Sequence, residues 1–188
     1  MRLFIATDLD DPAREAIAAL QWRLKRRIGD GGTLKWIRPE QMHLTLAFIG
    51  EADETLSAKL IVAMQARPAQ TIFDLEFARV GMFPPRGAPR VLWLGVSDGA
   101  DAVAALQQDV VSRVERLGIA LERRPFHPHL TLARWRESRP GDRRAVDEVS
   151  DTGSVARVCI DHATLYRSQP TPGGQVYTPM ARVTLSGV

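Results

Sequence analysis

Cysteine is almost absent from this sequence: Cys159 stands alone, so the chain can form neither an internal disulfide nor a cysteine-based zinc site. Its neighbours Val158 and Ile160 predict a buried strand position for it. Long hydrophobic runs are also missing. The opening apolar stretch, residues 3–7, is cut short by Asp8 and Asp10, which is too brief for the apolar region of a signal peptide or for a membrane span. A cytoplasmic chain is expected. No low-complexity or linker-like segment divides the 188 residues, so residues 1–188 are expected to form a single domain.

Lysine is nearly as scarce as cysteine. Of 25 basic residues only Lys25, Lys35 and Lys59 are lysines. The rest are arginines, whose planar fork can give two hydrogen bonds to one phosphate. The net charge of +3 permits an RNA partner without demanding one. The densest run, Arg113, Arg116, Arg123, Arg124, Arg134, Arg136, Arg139, Arg143 and Arg144, reads on charge alone as a solvated face.

The pattern of elements alternates helices with antiparallel-looking strands in two similar halves. Strands are predicted at 2–8, 34–37, 42–49, 72–82, 90–96, 130–135, 155–166 and 175–185. A helix capped by Asp10 or Asp11, with Pro12 in its first turn, carries Ala13, Ile17, Leu20, Leu24 and Ile28 on one stripe and ends at 29–32. A second, capped by Asp53, carries Leu56, Leu60, Ala63 and Met64 and stops before Pro68. A third carries Val103, Leu106, Val110, Val114 and Leu117, with Gly118 placed for a left-handed cap. A short fourth helix is predicted within 141–149. Prolines and glycines at 84–89 and 170–174 mark turns between paired strands.

One pentapeptide occurs twice. His-Leu-Thr-Leu-Ala stands at 43–47 and again at 129–133, a match that ordinary residue frequencies do not produce by accident. In a strand, successive side chains point to opposite faces, so His43 and Thr45 share one face while Leu44 and Leu46 share the other. His129 and Thr131 repeat the arrangement. Leucines recur for packing reasons, but packing does not require two polar residues to recur in phase.

If the halves pack about an approximate two-fold axis, the two His/Thr pairs face each other across a groove. Opening a phosphodiester in line needs a base for the attacking oxygen and an acid for the leaving one, on opposite sides of phosphorus. Imidazole, with an unperturbed pKa of about 6.5, can do either near neutral pH. The threonine hydroxyls can donate to the nonbridging oxygens as charge builds there. No cofactor is called for. A zinc site using the His127/His129 pair with His43 or His162 is the rival, but no carboxylate or cysteine stands at a convincing spacing beside them. His127 is expected to support the site or lie at its rim.

At these residues the sequence resembles the two-histidine phosphoesterases, and within them the LigT-like RNA 2',3'-cyclic phosphodiesterases, whose mark is two His-x-Thr-x tetrapeptides. The likeness extends to Phe4-Ile5-Ala6, Trp36-Ile37, Phe48-Ile49-Gly50-Glu51, Phe126-His127-Pro128-His129, Leu165-Tyr166-Arg167-Ser168 and Tyr177. The resemblance implies an α+β, bilobal, pseudo-two-fold fold: two antiparallel sheets, helices packed outside and a central cleft for the phosphate. It implies hydrolysis of RNA 2',3'-cyclic phosphate ends to 2'-phosphomonoesters, with 2'-5' ligation as the reverse reaction. It also implies His43 as proton donor and His129 as proton acceptor, roles that two locally identical motifs leave open. Arg134 matches the arginine that follows the family's second motif and would join Thr45 and Thr131 on the phosphate. Strict alternation sets Arg134 on the face of Leu130 and Leu132, away from His129, so its contact needs a bulge or the strand's end. Its counterpart after the first motif is Phe48. Trp36, Phe126 and Tyr166 are candidates to stack on a terminal base or to belong to the core.

The partners expected are RNA with cyclic-phosphate ends, tRNA fragments among them, acting on a monomer away from membranes. Two other functions fit the same residues. One is a phosphodiesterase for a small cyclic or 2'-5'-linked nucleotide; the other is a noncatalytic RNA-end-binding protein.

Overall fold

The computed structural model describes residues 1–29, 33–66, 68–122, 124–172 and 174–187. The chain runs β1 (Arg2–Thr7), α1 (Asp11–Ile28), β2 (Leu34–Trp36), a 3-10 turn (Pro39–Gln41), β3 (Leu44–Glu51), α2 (Glu54–Gln65), β4 (Phe73–Phe83), β5 (Val91–Asp98), α3 (Ala100–Glu115), β6 (His129–Trp135), α4 (Asp142–Asp147), β7 (Ser154–Ile160), β8 (His162–Thr171) and β9 (Gly174–Thr184). The predicted ends of α1 at 29–32 and of the last turn at 170–174 fall partly outside the described residues, as does Arg123.

The caps explain where the helices start. Asp10 accepts a hydrogen bond from the Ala13 amide at 2.9 Å, and Asp53 accepts one from the Leu56 amide at 2.7 Å, each satisfying an amide that the first turn leaves without a partner. Gly118 has φ of +81°, as a left-handed helix end requires. The predicted stripes turn inward: Ala13, Ile17, Leu20 and Leu24 of α1, and Val103, Leu106, Val110 and Val114 of α3, are buried. In α2 the buried face is Ser57, Leu60 and Met64, with Leu56 and Ala63 only partly covered.

Two antiparallel four-stranded groups, β7-β4-β5-β6 and β3-β1-β8-β9, meet at the β6–β3 edge, with β2 added beside β6. The seam between them is a single residue pair, Leu44 opposite Leu130. Both leucines are fully buried. The helices cross the seam: α1 follows β1 of one group yet packs on β7 of the other, and α3 follows β5 yet packs on β3. One continuous core therefore runs beneath both groups.

Two expectations are corrected. The strand predicted at 155–166 is two strands, broken at Asp161, with β7 paired to β4 and β8 paired to β1 at the far side of the seam. No proline or glycine marks that crossing, so alternation ran straight through it. Cys159 is exposed. It lies on the outward phase of β7, whose buried positions are Ala156, Val158 and Ile160, so its apolar neighbours face the other way.

Both repeated motifs carry the same irregularity. Opposite β5, Trp93 faces Thr131 and Leu92 faces Ala133, leaving Leu132 as an extra residue in β6. Opposite β1, Ala6 faces Thr45 and Ile5 faces Ala47, leaving Leu46 extra in β3. Each bulge buries two successive residues, Leu132 with Ala133 and Leu46 with Ala47, and so reverses the phase of the strand beyond it. The Leu132 carbonyl accepts from the Ile37 amide at 2.9 Å and from Gln21 Nε2 at 3.0 Å. The same amide of buried Gln21 also donates to the Ile37 carbonyl at 2.9 Å. Gln21→Met, which keeps the length and removes the donor, should lower the unfolding free energy in urea by about 1–3 kcal/mol; a variant as stable as the parent contradicts this account of how the bulge is held.

Candidate active site

The seam pair fixes the site. Leu44 and Leu130 point into the core, so the residues on either side of each point out of the opposite face. Carried one residue either way, the antiparallel register sets His43 across from Thr131 and Thr45 across from His129. The two histidines are then diagonal neighbours, with side-chain origins about 7–8 Å apart. That spacing suits two groups that bracket one phosphorus atom.

Each imidazole is oriented by its own chain. His43 Nδ1 lies 2.9 Å from the Gln41 carbonyl, and His129 Nδ1 lies 2.7 Å from the His127 carbonyl. A carbonyl can only accept, so each Nδ1 carries the hydrogen and each Nε2 is left to exchange protons in the cleft. His127 thus supports the site through its backbone.

Aromatic rings hold the two histidines in place by different means. Phe4 stacks on His43 at 4.7 Å, and Tyr177 meets the same ring edge-on at 5.2 Å. Phe83 meets His129 edge-on at 5.1 Å. Phe83 and Trp93 carry no sign of this role in the sequence, because the strands that bring them here are distant from either motif. Tyr166 packs on Phe4 at 5.3 Å and donates its hydroxyl to Asp8 at 2.6 Å, so it is a structural ring. Phe126 packs against the core, and Trp36 lies under the Lys25 ammonium at 5.3 Å.

Burial governs the titration of both catalytic candidates. It pulls His43 down to about 4, the Gln41 hydrogen bond and the nearby Asp8 opposing it, Arg14 and Arg134 assisting. Burial also lowers His129; the His127 carbonyl opposes this, and the charges of Arg134 and the His127 ring assist. Arg134 therefore acts on both imidazoles. The Leu132 bulge is the reason: it brings Arg134 round to the face of His129 and Thr131, as the exposed position in an otherwise buried end of β6.

Behind His43 lies a group that sequence reading missed. Asp8 accepts from His162 Nε2 at 2.9 Å and from Thr164 at 3.2 Å in addition to Tyr166. Burial alone would raise the Asp8 carboxyl, but the bonds from His162 and Tyr166 outweigh it and bring it to about 2. His162 also meets Asp161 through Nδ1. Both ring nitrogens face carboxylates, so the ring is favoured as a cation and its pKa is raised, chiefly by Asp8. Among the described residues no three or more His, Cys, Asp or Glu side chains are grouped to hold a metal ion.

Much of the arginine run has structural work. Arg113 is buried, pairs with Asp109 at 2.8 Å and donates to the Ala63 and Ala66 carbonyls at the end of α2. Arg143 holds the Pro84 and Gly87 carbonyls, and Arg144 pairs with Glu148. Among the described arginines of the run, Arg134 is the one whose charge acts on both His43 and His129.

Residues 9–171 match the family described as the 2'-5' RNA ligase superfamily. The chain belongs to that superfamily. An RNA 2',3'-cyclic phosphodiesterase of Archaeoglobus fulgidus is 33% identical over 94% of this chain and 96% of its own length. One of Geobacillus stearothermophilus is 36% identical over 88% of this chain, which spans about half, 51%, of that longer protein. The crystal structure of TT0787 of Thermus thermophilus superposes with a TM-score of 0.81 at 28% identity, covering 100% of this chain and 99% of the other. E. coli LigT in apo form gives 0.76 at 29%, covering 98% and 97%. The LigT-like, bilobal α+β architecture expected from the motifs is thus the one observed. No described helix is long and apolar enough to cross a membrane.

The free protein should show His43 titrating at about 4 and His129 below 6.5, while His162 titrates above 6.5, in imidazole NMR resonances. Because the folded pKa of His43 is depressed, the unfolded chain takes up a proton that the folded one refuses between pH 6.5 and 4. Stability falls as pH drops through that window. His162 has the opposite sign: its contribution is present below 6.5 and is lost as pH rises through its raised pKa. A His43 that titrates at 6.5 or above refutes the burial argument.

Proposed function

We propose that this cleft hydrolyses RNA 2',3'-cyclic phosphate ends to 2'-phosphomonoesters, with His43 as acid and His129 as base. The observation that carries the reading is the single buried pair, Leu44 with Leu130, which turns two His/Thr pairs onto one face with both Nε2 atoms uncommitted. The curated relatives at up to 36% identity carry the name of that activity.

His129 Nε2 takes a proton from a water molecule in line with the 3'-oxygen, and the water oxygen bonds to phosphorus. The bond from phosphorus to the 3'-oxygen breaks as His43 Nε2–H delivers its proton there, leaving the phosphate on the 2'-oxygen. Thr45, Thr131 and Arg134 meet the nonbridging oxygens, Arg134 supplying the fixed positive charge. At His43 the Asp8 carboxylate favours the cation against Arg14 and Arg134, whereas both charges acting on His129, Arg134 and His127, oppose one there. That contrast supports His43 as the donor.

The reading takes residues 1–188 as one domain, a cytoplasmic monomer, with tRNA fragments among its substrates. A small cyclic nucleotide is the second reading, favoured by the 28%-identical E. coli LigT structure complexed with 3'-AMP. Turnover of an oligonucleotide that weakens with salt while that of a mononucleotide does not favours RNA.

In the presence of a chelator, His43→Ala and His129→Ala should each reduce hydrolysis of a cyclic-phosphate-ended oligoribonucleotide by at least about 100-fold, with 2'-phosphate as the parent's product. Full activity in either variant, or a 3'-phosphate product, removes the proposal. The pH profile gives a second check. The free protein must hold a proton on His43 and none on His129, so kcat/KM should peak below about pH 6.5; a maximum in alkaline solution contradicts the assigned pair.

A further inference from the structure

Beyond the place of the reacting phosphate, the histidine face of the sheet carries three cations in a row. Lys35 of β2 stands directly across from Arg134 of β6. Directly opposed residues of an antiparallel pair share a face, with side-chain origins about 5 Å apart, so Lys35 lies on the same face as Arg134. The pairing continues one step further, where the Arg136 amide donates to the Thr33 carbonyl at 2.7 Å. Arg136 follows Arg134 by two residues and keeps its phase, about 7 Å farther along the strand. Trp135, between them, is turned into the core.

All three cations are exposed. Among the described residues none of them forms an ion pair with a carboxylate, and Glu137, which follows Arg136 directly in the chain, pairs with none of the three. Like charges set directly opposite one another in a sheet are destabilising. Lys35 and Arg134 therefore hold an arrangement that folding by itself does not favour, and an anion beside them removes the repulsion.

The register fixes where this charge stands relative to the reaction. His43 lies across from Thr131 and Thr45 across from His129, so the direction along β6 from His129 to Arg134 is also the direction toward His43. On the function proposed above, the 3'-oxygen that His43 protonates belongs to the terminal ribose, which lies on the His43 side. The same ribose carries the next phosphate of an RNA chain on its 5'-oxygen. Beyond the first motif the cleft presents the apolar ring of Phe48; beyond the second it presents Lys35 and Arg136. A charged phosphodiester is drawn to the cations.

We infer that Lys35 and Arg136 bind the phosphodiester on the 5' side of the terminal nucleotide, leaving Arg134 to the cyclic phosphate. Arg136 can offer its planar fork to two oxygens at once, and Lys35 supplies a point charge. The pair are specificity residues. They distinguish the end of an RNA chain, which has this second phosphate, from a cyclic mononucleotide ending in a 5'-hydroxyl. Contacts to phosphate carry no base information, so the selection is for polymer over monomer and is indifferent to sequence.

The inference rests on the proposed hydrolysis, and its test separates the two. A ribodinucleotide ending in a 2',3'-cyclic phosphate is compared with the same dinucleotide joined through a methylphosphonate, which keeps both bases and removes the internal charge. In the parent chain kcat/KM should fall about tenfold on that replacement, mainly through KM, as for the loss of hydrogen bonds to a charged group. With both Lys35→Gln and Arg136→Gln in place, the charged-to-neutral ratio should approach one, and each substitution alone should remove part of it. The slope of log kcat/KM against log salt for the charged dinucleotide should become shallower by about 0.7 in the double variant, one phosphate contact being lost. A parent that opens both dinucleotides equally well overturns the inference and leaves hydrolysis in place, whether or not the variants fold. A ratio that persists in the folded variants also overturns it, because the charge is then met elsewhere. A parent that opens neither dinucleotide overturns both.

Discussion

The pairing of Leu44 with Leu130 joins the two halves of the sheet, and the burial of both side chains fixes its register. A slip of one residue would set Leu44 opposite His129 or Thr131, turning one leucine into the cleft and its neighbouring His/Thr pair into the core. The cost of burying those polar groups without partners, together with the loss of apolar burial at a fully covered position, opposes that slip. The histidines are therefore brought together by the hydrophobic residues between them. Each ring is then aimed by the carbonyl two residues upstream, so position and orientation have separate causes that the motif carries in every copy.

The bulge following each motif is what makes two identical pentapeptides chemically different. With strict alternation, residues 48 and 134 would lie on the leucine face. The extra residue in each strand sends them to the histidine face instead, where the first half presents Phe48, 68% exposed, and the second presents Arg134. One end of the cleft thus gains an apolar surface and the other a fixed positive charge. A pseudo-symmetric scaffold can set the phosphate between equivalent histidines, but only such unlike neighbours can give the rest of the substrate a direction. Gln21 matters for the same reason: it is an α1 side chain that joins the Ile37 amide in donating to the carbonyl of the bulged Leu132.

Features set by local periodicity were legible in the sequence. The caps at Asp10 and Asp53, the stripes of α1 and α3, the β4–β5 ribbon and the outward phase of His43, Thr45, His129 and Thr131 are all nearest-neighbour effects. That Arg134 could reach the histidine face only through a bulge or at the strand's end was also readable, because alternation contradicted the motif. Non-local features were not. Nothing local separates β7 from β8 at Asp161, since the break serves a chain crossing whose cause lies in the whole sheet. Cys159 was misplaced because apolar neighbours in a strand occupy the opposite face. Asp8 joined the site only through His162, Thr164 and Tyr166, more than 150 residues away in the chain, and Trp93 through the bare backbone of Gly81.

Electrostatics gives the cleft a further asymmetry, between its empty and filled states. Two imidazolium ions on diagonally neighbouring positions, with Arg134 acting on both, would repel each other, by roughly 2 kcal/mol for charges about 8 Å apart at an effective dielectric constant near 20. Burial adds to that penalty, and it holds both rings neutral in the free protein. An anion reverses the balance, because a negative charge beside a buried imidazole favours its protonated form. The phosphate that enters is thus the group that charges the acid destined to act on it. Asp8 is the charge that favours a proton on His43, against Arg14 and Arg134. Its carboxylate is kept ionised by His162 and Tyr166, and it lies close enough to His43 to favour the cation there, while the charges acting on His129 among the described residues are those of Arg134 and the His127 ring. A carboxylate that neither motif contains thus makes the charged surroundings of the two rings unlike.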